Sequence, residues 1–305
     1  MKLQQLKLLC EVADRGFSIS RAADALFTSQ PGISRHLGVL EAELGVELLL
    51  RRGNRLTGLT PAGAQVVKHA RVALDAVESI RRTGEDFRSP SSGTLTIATN
   101  HTQARYVLAR VLGGFGRRYP KVEVRILQGL PGQIAQWVRS GEADVGIATR
   151  PSEELPDLAL VHAYAIEHIL VARPKHPLLK LKKIRLADLA LHPLIGYDSS
   201  YLISRQIAEK FRAAGLTPNI VVRASDSDVI KTYAAAGLGV AIIPAGAFDA
   251  KSDRELCGKT LGDLFEPTVA YAMLRRGLPL RGYMYEFLEM LSENLSRKLI
   301  DRGIA

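Results

Sequence analysis

Between Phe17 and Glu43 the chain reads FSISRAADALFTSQPGISRHLGVLEAE, two short amphipathic segments joined by a corner of only a few residues. Little besides a sharp helix–helix turn fits such a corner, which restricts the fold more than any other stretch. Ala22, Ala23, Leu26 and Phe27 supply the apolar stripe of the first segment, and Ile33, Leu37 and Leu40 that of the second, at i, i+4 and i+7. Ser18 is placed to cap the first helix, and Thr28 or Ser29 the second. Pro31 falls in the second helix's first turn, where N–H groups have no helical partner to lose. The outward positions are then Ser29, Gln30, Ser34, Arg35 and His36, with Pro31 beside them. These are hydrogen-bonding residues suited to base edges and phosphates in a major groove. The pattern predicts a helix-turn-helix; an ordinary helical hairpin is the plain alternative.

The next residues strengthen the nucleic-acid reading. Between Leu48 and Leu74 stand Arg51, Arg52, Arg55, Lys68 and Arg71, without one acidic residue. Arg51-Arg52-Gly53-Asn54-Arg55 lies between apolar Leu48–Leu50 and Leu56, the pattern of a two-stranded wing closed by a Gly-Asn turn. Arg51, Arg52 and Arg55 would then face phosphates or the minor groove, unless the turn is simply a solvated basic one. Net charge adds little. The formal +10 suits a polyanion, but residues 1–89 hold 13 Lys and Arg against 10 Asp and Glu, and +7 belongs to the remainder.

A length of 305 residues implies two or three units, each able to bury a core. The two cysteines, Cys10 and Cys257, are far apart and lack a CxxC or His-rich neighbour, so neither a zinc site nor a disulfide framework is indicated. Cys10 falls on an apolar helical face and Cys257 in a polar stretch read as a loop. MKLQQLKLLCEVADRG has helical spacing and is not a signal peptide, and no apolar run reaches membrane-spanning length. The chain therefore reads as a cytoplasmic, soluble protein without a membrane partner. No GxSxG, HExxH, P-loop or Cys–His arrangement appears, which speaks against an enzyme.

Thr60-Pro61 opens a long helical pattern that runs to about Phe87. Along it Val66, Ala70, Ala73, Val77 and Ile80 alternate steps of four and three, a seam for a second copy of the same helix. A helix lying along its own domain is the alternative. Ser89-Pro90-Ser91-Ser92-Gly93 then supplies a hinge. From Thr94 strands and helices alternate: strands at 94–98, 122–127 and 143–148 with helices at 102–119 and 132–141. A second set has strands at 168–172, 193–197, 219–224 and 240–244 with helices at 204–214 and 226–236. A strand at 269–273 and one closing helix, 280 to about 299, complete the chain. The βαβ order predicts parallel sheets. The expected organisation is a helical winged helix-turn-helix (1–59), a dimerising linker helix (60–88), a hinge (89–93) and a two-lobed α/β domain (94–305). Lobe I takes about 94–162 and 268–305, lobe II about 163–267, with the chain crossing near Val161–Tyr164 and again near Pro267–Tyr271.

Ligands of open α/β sheets sit at the carboxyl ends of the strands. Those ends carry Thr99, Asn100, His101, Thr102 and Gln103, then Gln128, then Thr149, and on the other lobe Tyr197. Thr102 and Gln103 open a helix whose free N–H groups favour negative charge, and the hydroxyls of Thr99, Thr102 and Thr149 can donate without adding a charge. A small anion suits such a site, although threonines also serve as plain caps. His101 has no metal-type neighbour in sequence and reads as an ordinary histidine.

MKLQQL, TSQPGISR, LTPAG, ATNHTQAR and DSDVIKTYAAAGLGVAII together resemble the LysR-type transcriptional regulators, and within them the CysB-like branch. The resemblance spans essentially the whole chain. It implies a winged helix-turn-helix, a dimerising linker helix and a periplasmic-binding-protein-like (type II) effector domain, assembled as a homodimer or homotetramer on double-stranded promoter DNA. RNA polymerase can be a further partner. The branch implies control of sulfur assimilation or sulfur-source utilisation genes, with no resident cofactor and a small anionic or zwitterionic effector such as sulfate, thiosulfate or an acetylserine. Carried onto this chain, the effector residues are Thr102, Gln103 and Thr149, with Asn100, Tyr164 and Asp226 beside them and Leu202 at the edge. Three positions depart from the branch: Asn100 and Leu202 stand where threonines are expected, and Ile166 where a tryptophan is. Loss of a hydroxyl at 202 removes roughly 0.5–1.5 kcal/mol of hydrogen bonding and offers an apolar contact instead. Effector closure of the lobes is expected to change the oligomer's geometry and its grip on DNA. A LysR-type regulator of an unrelated pathway, or more remotely a bilobed solute-binding protein or enzyme, remains as the alternative.

Overall fold

The structure is a computed structural model that describes residues 1–53 and 55–305, without the side chains of residues 79, 82 and 85–87. Asn54, expected in the wing turn, lies outside the described residues. The chain divides into two compact units, Met1–Phe87 and Arg88–Ala305.

The first unit comprises α1 (Leu3–Asp14), α2 (Ile19–Ala25), α3 (Gln30–Leu44), β1 (Leu49–Arg52), β2 (Arg55–Leu59) and α4 (Pro61–Arg88). The Ser18 hydroxyl accepts from the Arg21 N–H, and that of Ser29 from the Gly32 N–H, so Ser29 rather than Thr28 caps α3. Leu9, Val12, Ala22, Ile33, Leu37, Leu40 and Leu48 form its core. Cys10 joins them, and burial pushes its thiol up to about 11. Phe27 does not join the stripe assigned to it: α2 stops at Ala25, the backbone turns left-handed (φ +49°), and the ring is 98% exposed. β1 and β2 pair antiparallel with Arg52 opposite Arg55, and Gly53 supplies φ +61° at the turn. Thr60 caps α4 by accepting from the Gly63 N–H and donating to the Glu47 carbonyl.

The early part of α4 does have a local core. Val67 and Ala70 are buried against it, and Val66, Ala73 and Leu74 pack partly on it. Only farther along does the seam stand free, with Val77 and Ile80 exposed.

The second unit runs β3 (Ser92–Thr99), α5 (His101–Gln103), a π-helical turn (Ala104–Leu108), α6 (Ala109–Arg118), β4 (Lys121–Gln128), α7 (Pro131–Ser140), β5 (Val145–Thr149), β6 (Leu158–Ile166), β7 (His168–Ala172), α8 (Pro177–Lys180), α9 (Leu186–Ala190), β8 (Leu194–Tyr197), α10 (Leu202–Ala213), β9 (Ile220–Ala224), α11 (Ser227–Ala235), β10 (Val240–Pro244), β11 (Cys257–Thr260), β12 (Thr268–Arg275), α12 (Gly282–Leu291) and α13 (Arg297–Ile304). One sheet has the order β4-β3-β5-β12-β6 and the other β11-β7-β10-β8-β9. β3 is parallel to β4 and β5, and β8 to β9 and β10, as the βαβ alternation predicts. β12 runs antiparallel to β5 and β6, and β7 antiparallel to β10 and β11. β5 is buried along its whole length, which is why it reads as an unbroken apolar run.

Several elements differ from the sequence expectation. Residues 158–166, expected to hold a crossing between lobes, form strand β6, paired with β12 from Leu158↔Arg275 to Ile166↔Thr268. The first sheet thus extends to Ile166, and the second begins at His168. The helix expected over 102–119 is continuous but widens into a π turn at Ala104–Leu108. The single closing helix is two, α12 and α13, because Ser292 takes an extended conformation and its hydroxyl donates to the Ala163 carbonyl of β6. Cys257 sits in edge strand β11 rather than a loop, and is exposed.

Candidate functional site

In the first unit, α3 turns Ile33, Leu37 and Leu40 inward, so Ser29, Gln30, Pro31, Ser34 and Arg35 share the outward side and are exposed. His36 is only half-buried, and its carbonyl faces the Gln5 amide. Arg51, Arg52 and Arg55 are exposed on the wing, but they are not equivalent. The Glu41 carboxylate accepts from the Leu48 and Leu49 N–H groups and from the Arg51 guanidinium at 3.2 Å. Glu41 thereby fixes the wing to α3 and engages Arg51, while no ion pair among the described residues holds Arg52 or Arg55.

In the second unit a narrow cleft of about 30 Å³ is lined by residues of both sheets. Of the residues expected there, Asn100, Thr102, Gln103, Thr149, Tyr197 and Leu202 converge on it. Asn100 caps the helical run that begins at His101, its Oδ1 accepting from the Gln103 N–H at 2.9 Å. Its amide nitrogen is left for the cleft. Gln103 is oriented from behind by Tyr164, whose hydroxyl donates to Gln103 Oε1 at 2.7 Å. Tyr164 therefore supports the cleft without lining it. The Thr149 hydroxyl is buried and has no hydrogen-bond partner among the described residues.

Besides Tyr164, three expected residues are not brought to the lining. Thr99 ends β3 with its side chain turned into the sheet, where its hydroxyl donates to the Ile147 carbonyl at 2.7 Å. Gln128 is exposed and bonds His101 Nδ1 at 3.2 Å. Asp226 caps α11, accepting from the Val229 N–H at 2.9 Å.

Ile166 lines the cleft, and His168, Tyr201, Ile203, Pro244 and Thr268 join it without having been expected there. His168 and Thr268 start strands, Tyr201 and Ile203 flank the start of α10, and Pro244 ends β10. None of them carries a local pattern that marks a ligand. His168 Nδ1 is buried without a partner among the described residues, and burial pulls its pKa down to about 4, so the ring is neutral. The lining contains no Lys, Arg, Asp or Glu. Neutral donors at the start of a helix, opposite an apolar wall of Ile166, Leu202, Ile203 and Pro244, can hold a small oxyanion reversibly.

Outside the cleft, ligand atoms of His101, Asp226 and Asp228 lie within 4.8 Å of one another. Asp228 already faces Arg105, Lys231 and the Tyr106 hydroxyl, a cationic setting that opposes a metal ion.

Comparison with known proteins agrees with both halves. Residues 3–64 match the bacterial regulatory helix-turn-helix model of the lysR family, and residues 88–296 the LysR substrate binding domain. The chain is 41% identical over 304 residues to the transcriptional regulator CysB of Burkholderia cenocepacia, covering 100% of this chain and 97% of that one. It is 39% identical to SsuR of the same organism, covering 97% and 96%. Among solved structures, the cofactor-binding domain of the Cbl transcriptional regulator superposes with a TM-score of 0.66 at 37% identity, covering 70% of this chain and 94% of that one.

Proposed function

The chain belongs to the LysR family of bacterial transcriptional regulators, in its CysB-like branch, and from that premise we propose that a small sulfur-related oxyanion in the cleft controls its action at promoters. It is a DNA-binding regulator and not an enzyme. The genes under its control are those of sulfur assimilation or sulfur-source utilisation, and it acts in the cytoplasm, where promoter DNA is.

One observation carries the effector reading: the Thr149 hydroxyl is buried at the cleft without a partner among the described residues. An unpaired buried donor costs about 1–3 kcal/mol, a cost that a bound acceptor removes. The Asn100 and Gln103 amides and the Thr102 hydroxyl line the same cleft and supply further neutral donors to such an acceptor. The neutral, uncharged lining suits a compact oxyanion such as sulfate or thiosulfate, with an acetylserine as the larger candidate. Ile166 and Leu202 support a second reading, a regulator of another pathway whose effector carries an apolar group.

DNA contacts fall to Ser29, Gln30, Pro31, Ser34 and Arg35 in a major groove, with Arg52 and Arg55 on the flanking backbone or minor groove. The exposed stretch of α4 with Val77 and Ile80 suits pairing with a second copy, as a dimer or tetramer. Residues 1–59 then form the DNA-binding domain, 60–88 the dimerising helix, 89–93 the hinge and 94–305 the effector domain. Lobe closure by the ligand shifts half-site spacing, and RNA polymerase reads the result. The ligand can do this only by binding one lobe arrangement more tightly than the other.

Calorimetric titration of the full chain with sulfate, thiosulfate, N-acetylserine, O-acetylserine and a short alkanesulfonate tests the assignment. Heat from one of the sulfur oxyanions, lost in Thr149→Val, is the expected result. Binding that survives Thr149→Val and Thr102→Val unchanged would place the ligand elsewhere.

A further inference from the structure

The Thr102 hydroxyl, expected to face an anion, is also bound across the lobes. Its Oγ1 lies 2.9 Å from Ser227 Oγ and accepts from the Ser227 N–H at 3.3 Å. Ser227 Oγ in turn is hydrogen-bonded to the Tyr197 hydroxyl. Thr102 follows β3 of the first sheet, whereas Ser227 opens α11 and Tyr197 ends β8, both of the second. Three hydroxyls thus form a chain that crosses from one lobe to the other. Ser227 is fully buried and absent from the cleft lining, while Tyr197 and Thr102 are 4% and 8% exposed.

Counting protons gives the chain a direction. Along the line Tyr197–Ser227–Thr102 three O–H groups share two O···O contacts, so with an acceptor in the cleft one proton is free to leave it. Tyr197 and Thr102 both line the cleft, and Thr102 is the more exposed of the two, at 8% against 4%, so the proton that meets a cleft ligand is assigned to Thr102. Burial also holds the Tyr197 phenol protonated far above its ordinary range, so it enters as a donor. A surplus proton on Ser227 would be stranded, since the side chain has no exposure and its hydroxyl has no other partner among the described residues. With an anion in the cleft, Tyr197 donating to Ser227, Ser227 to Thr102, and Thr102 into the cleft leaves no buried proton unpaired and gives the ligand the more exposed of the two cleft hydroxyls. Both lone pairs of Thr102 Oγ1 are then filled by the O–H and N–H of Ser227.

We infer that Ser227 is a positioning residue for the cleft anion: the relay Tyr197–Ser227–Thr102 aims the Thr102 proton at the ligand and ties ligand occupancy to α11 of the opposite lobe. This rests on the oxyanion reading of the cleft. A hydrogen-bond chain ending on an anion is polarised along its length, so Ser227 strengthens a bond it does not itself make. Because the last donor belongs to one lobe and those aligning it to the other, an occupied cleft holds the two together.

The test is a double-mutant cycle on sulfate and thiosulfate affinity, measured by calorimetry on the full chain with Thr102→Val, Ser227→Ala and the pair. Ser227→Ala is expected to weaken binding about five- to tenfold, the effect of one hydrogen bond. In the Thr102→Val background it should change affinity less than about twofold, because the relay then has no outlet. Tyr197→Phe, a second entry to the same chain should Ser227→Ala fold poorly, is expected to show the same dependence on Thr102. Additive losses, or wild-type affinity in Ser227→Ala, overturn the relay while leaving the cleft reading intact. A wild-type chain that takes up neither anion overturns the cleft reading and the relay with it.

Discussion

The Tyr106 hydroxyl donates to Asp228 Oδ1 at 2.5 Å, joining residues 122 positions apart and the two sheets of the effector unit. Around this bond the HTQAR and DVIKTY segments meet. Asp228 Oδ2 faces Arg105 Nε at 3.2 Å and His101 Nε2 at 3.5 Å, and Lys231 Nζ reaches Tyr106 at 2.8 Å and both oxygens of Asp253. Two stretches that mark the branch in sequence are thus one ionic clasp beside the hydroxyl relay.

Lys231 is 7% exposed, and its ammonium also donates to the Ala247 carbonyl. Burial pulls its pKa down, but the hydrogen bonds it donates to Tyr106 and Asp253 outweigh this and hold it above its ordinary value. Lys231→Met leaves Asp253 and Asp228 without their shared cation, and is expected to cost about 3–5 kcal/mol. Urea unfolding of the full chain would show it; a loss below about 1 kcal/mol would mean that the clasp is not a stabilising contact.

His168 should give the effector unit an acid-sensitive limb. Its pKa is about 4 when folded, against 6.5 as the ordinary value. Between these values the unfolded chain binds a proton that the folded one refuses, so stability is full above about 6.5 and falls as pH drops toward 4. The span amounts to about 3 kcal/mol. In His168→Gln the urea midpoint should decline less steeply between pH 7 and 4.5, and an unchanged decline would assign the acid limb to other groups.

Thr149→Val should separate stability from response. Its hydroxyl has no partner among the described residues, so an isosteric methyl removes a buried unpaired group and should leave stability equal or raise it by about 1 kcal/mol. Anion affinity should fall about tenfold at the same time. Thermal unfolding and calorimetry on one preparation decide it, and a drop in both would make Thr149 a packing residue.

On the DNA side, Arg52→Ala should lower the slope of log affinity against log salt by about 0.9, the release of about one counterion. Arg51→Ala should change it less, because that guanidinium already faces Glu41 at 3.2 Å. Fluorescence anisotropy on a retained promoter fragment, repeated over a range of salt, distinguishes the two; equal slopes for both variants would refute the difference.

Gly63 is a further test of the wing. A Cβ there would lie 1.9 Å from the Leu48 carbonyl oxygen, in backbone that cannot swing aside. Gly63→Ala is expected to cost about 3 kcal/mol or more and to abolish DNA retention, since the wing and α4 would have to part. Near-normal unfolding and retention would show that this contact is loose.

Much of this protein is local physics, and local physics is legible in the chain. Ser29 and Pro31 start α3, Ile33, Leu37 and Leu40 turn it, Thr60-Pro61 starts α4, and the run at 143–148 reads as a strand, found at Val145–Thr149. Each follows from residues within a turn or two of one another. Phe27 and Ser292 mark the limit of such reading: whether Phe27 joins a stripe depends on where α2 stops, and Ser292 breaks a helix to reach the Ala163 carbonyl, 129 positions away. The cleft lies further beyond it. Asn100, Thr149, His168, Leu202, Pro244 and Thr268 become neighbours only because two sheets present their strand and helix ends to a common space. The same tertiary arrangement turns the Thr99 hydroxyl away and leaves that of Thr149 unpaired among the described residues. Composition and periodicity determined the elements and the class of protein; the direction and partner of each polar side chain were decided by long-range packing, because a hydrogen bond depends on where two distant backbones finally bring their atoms.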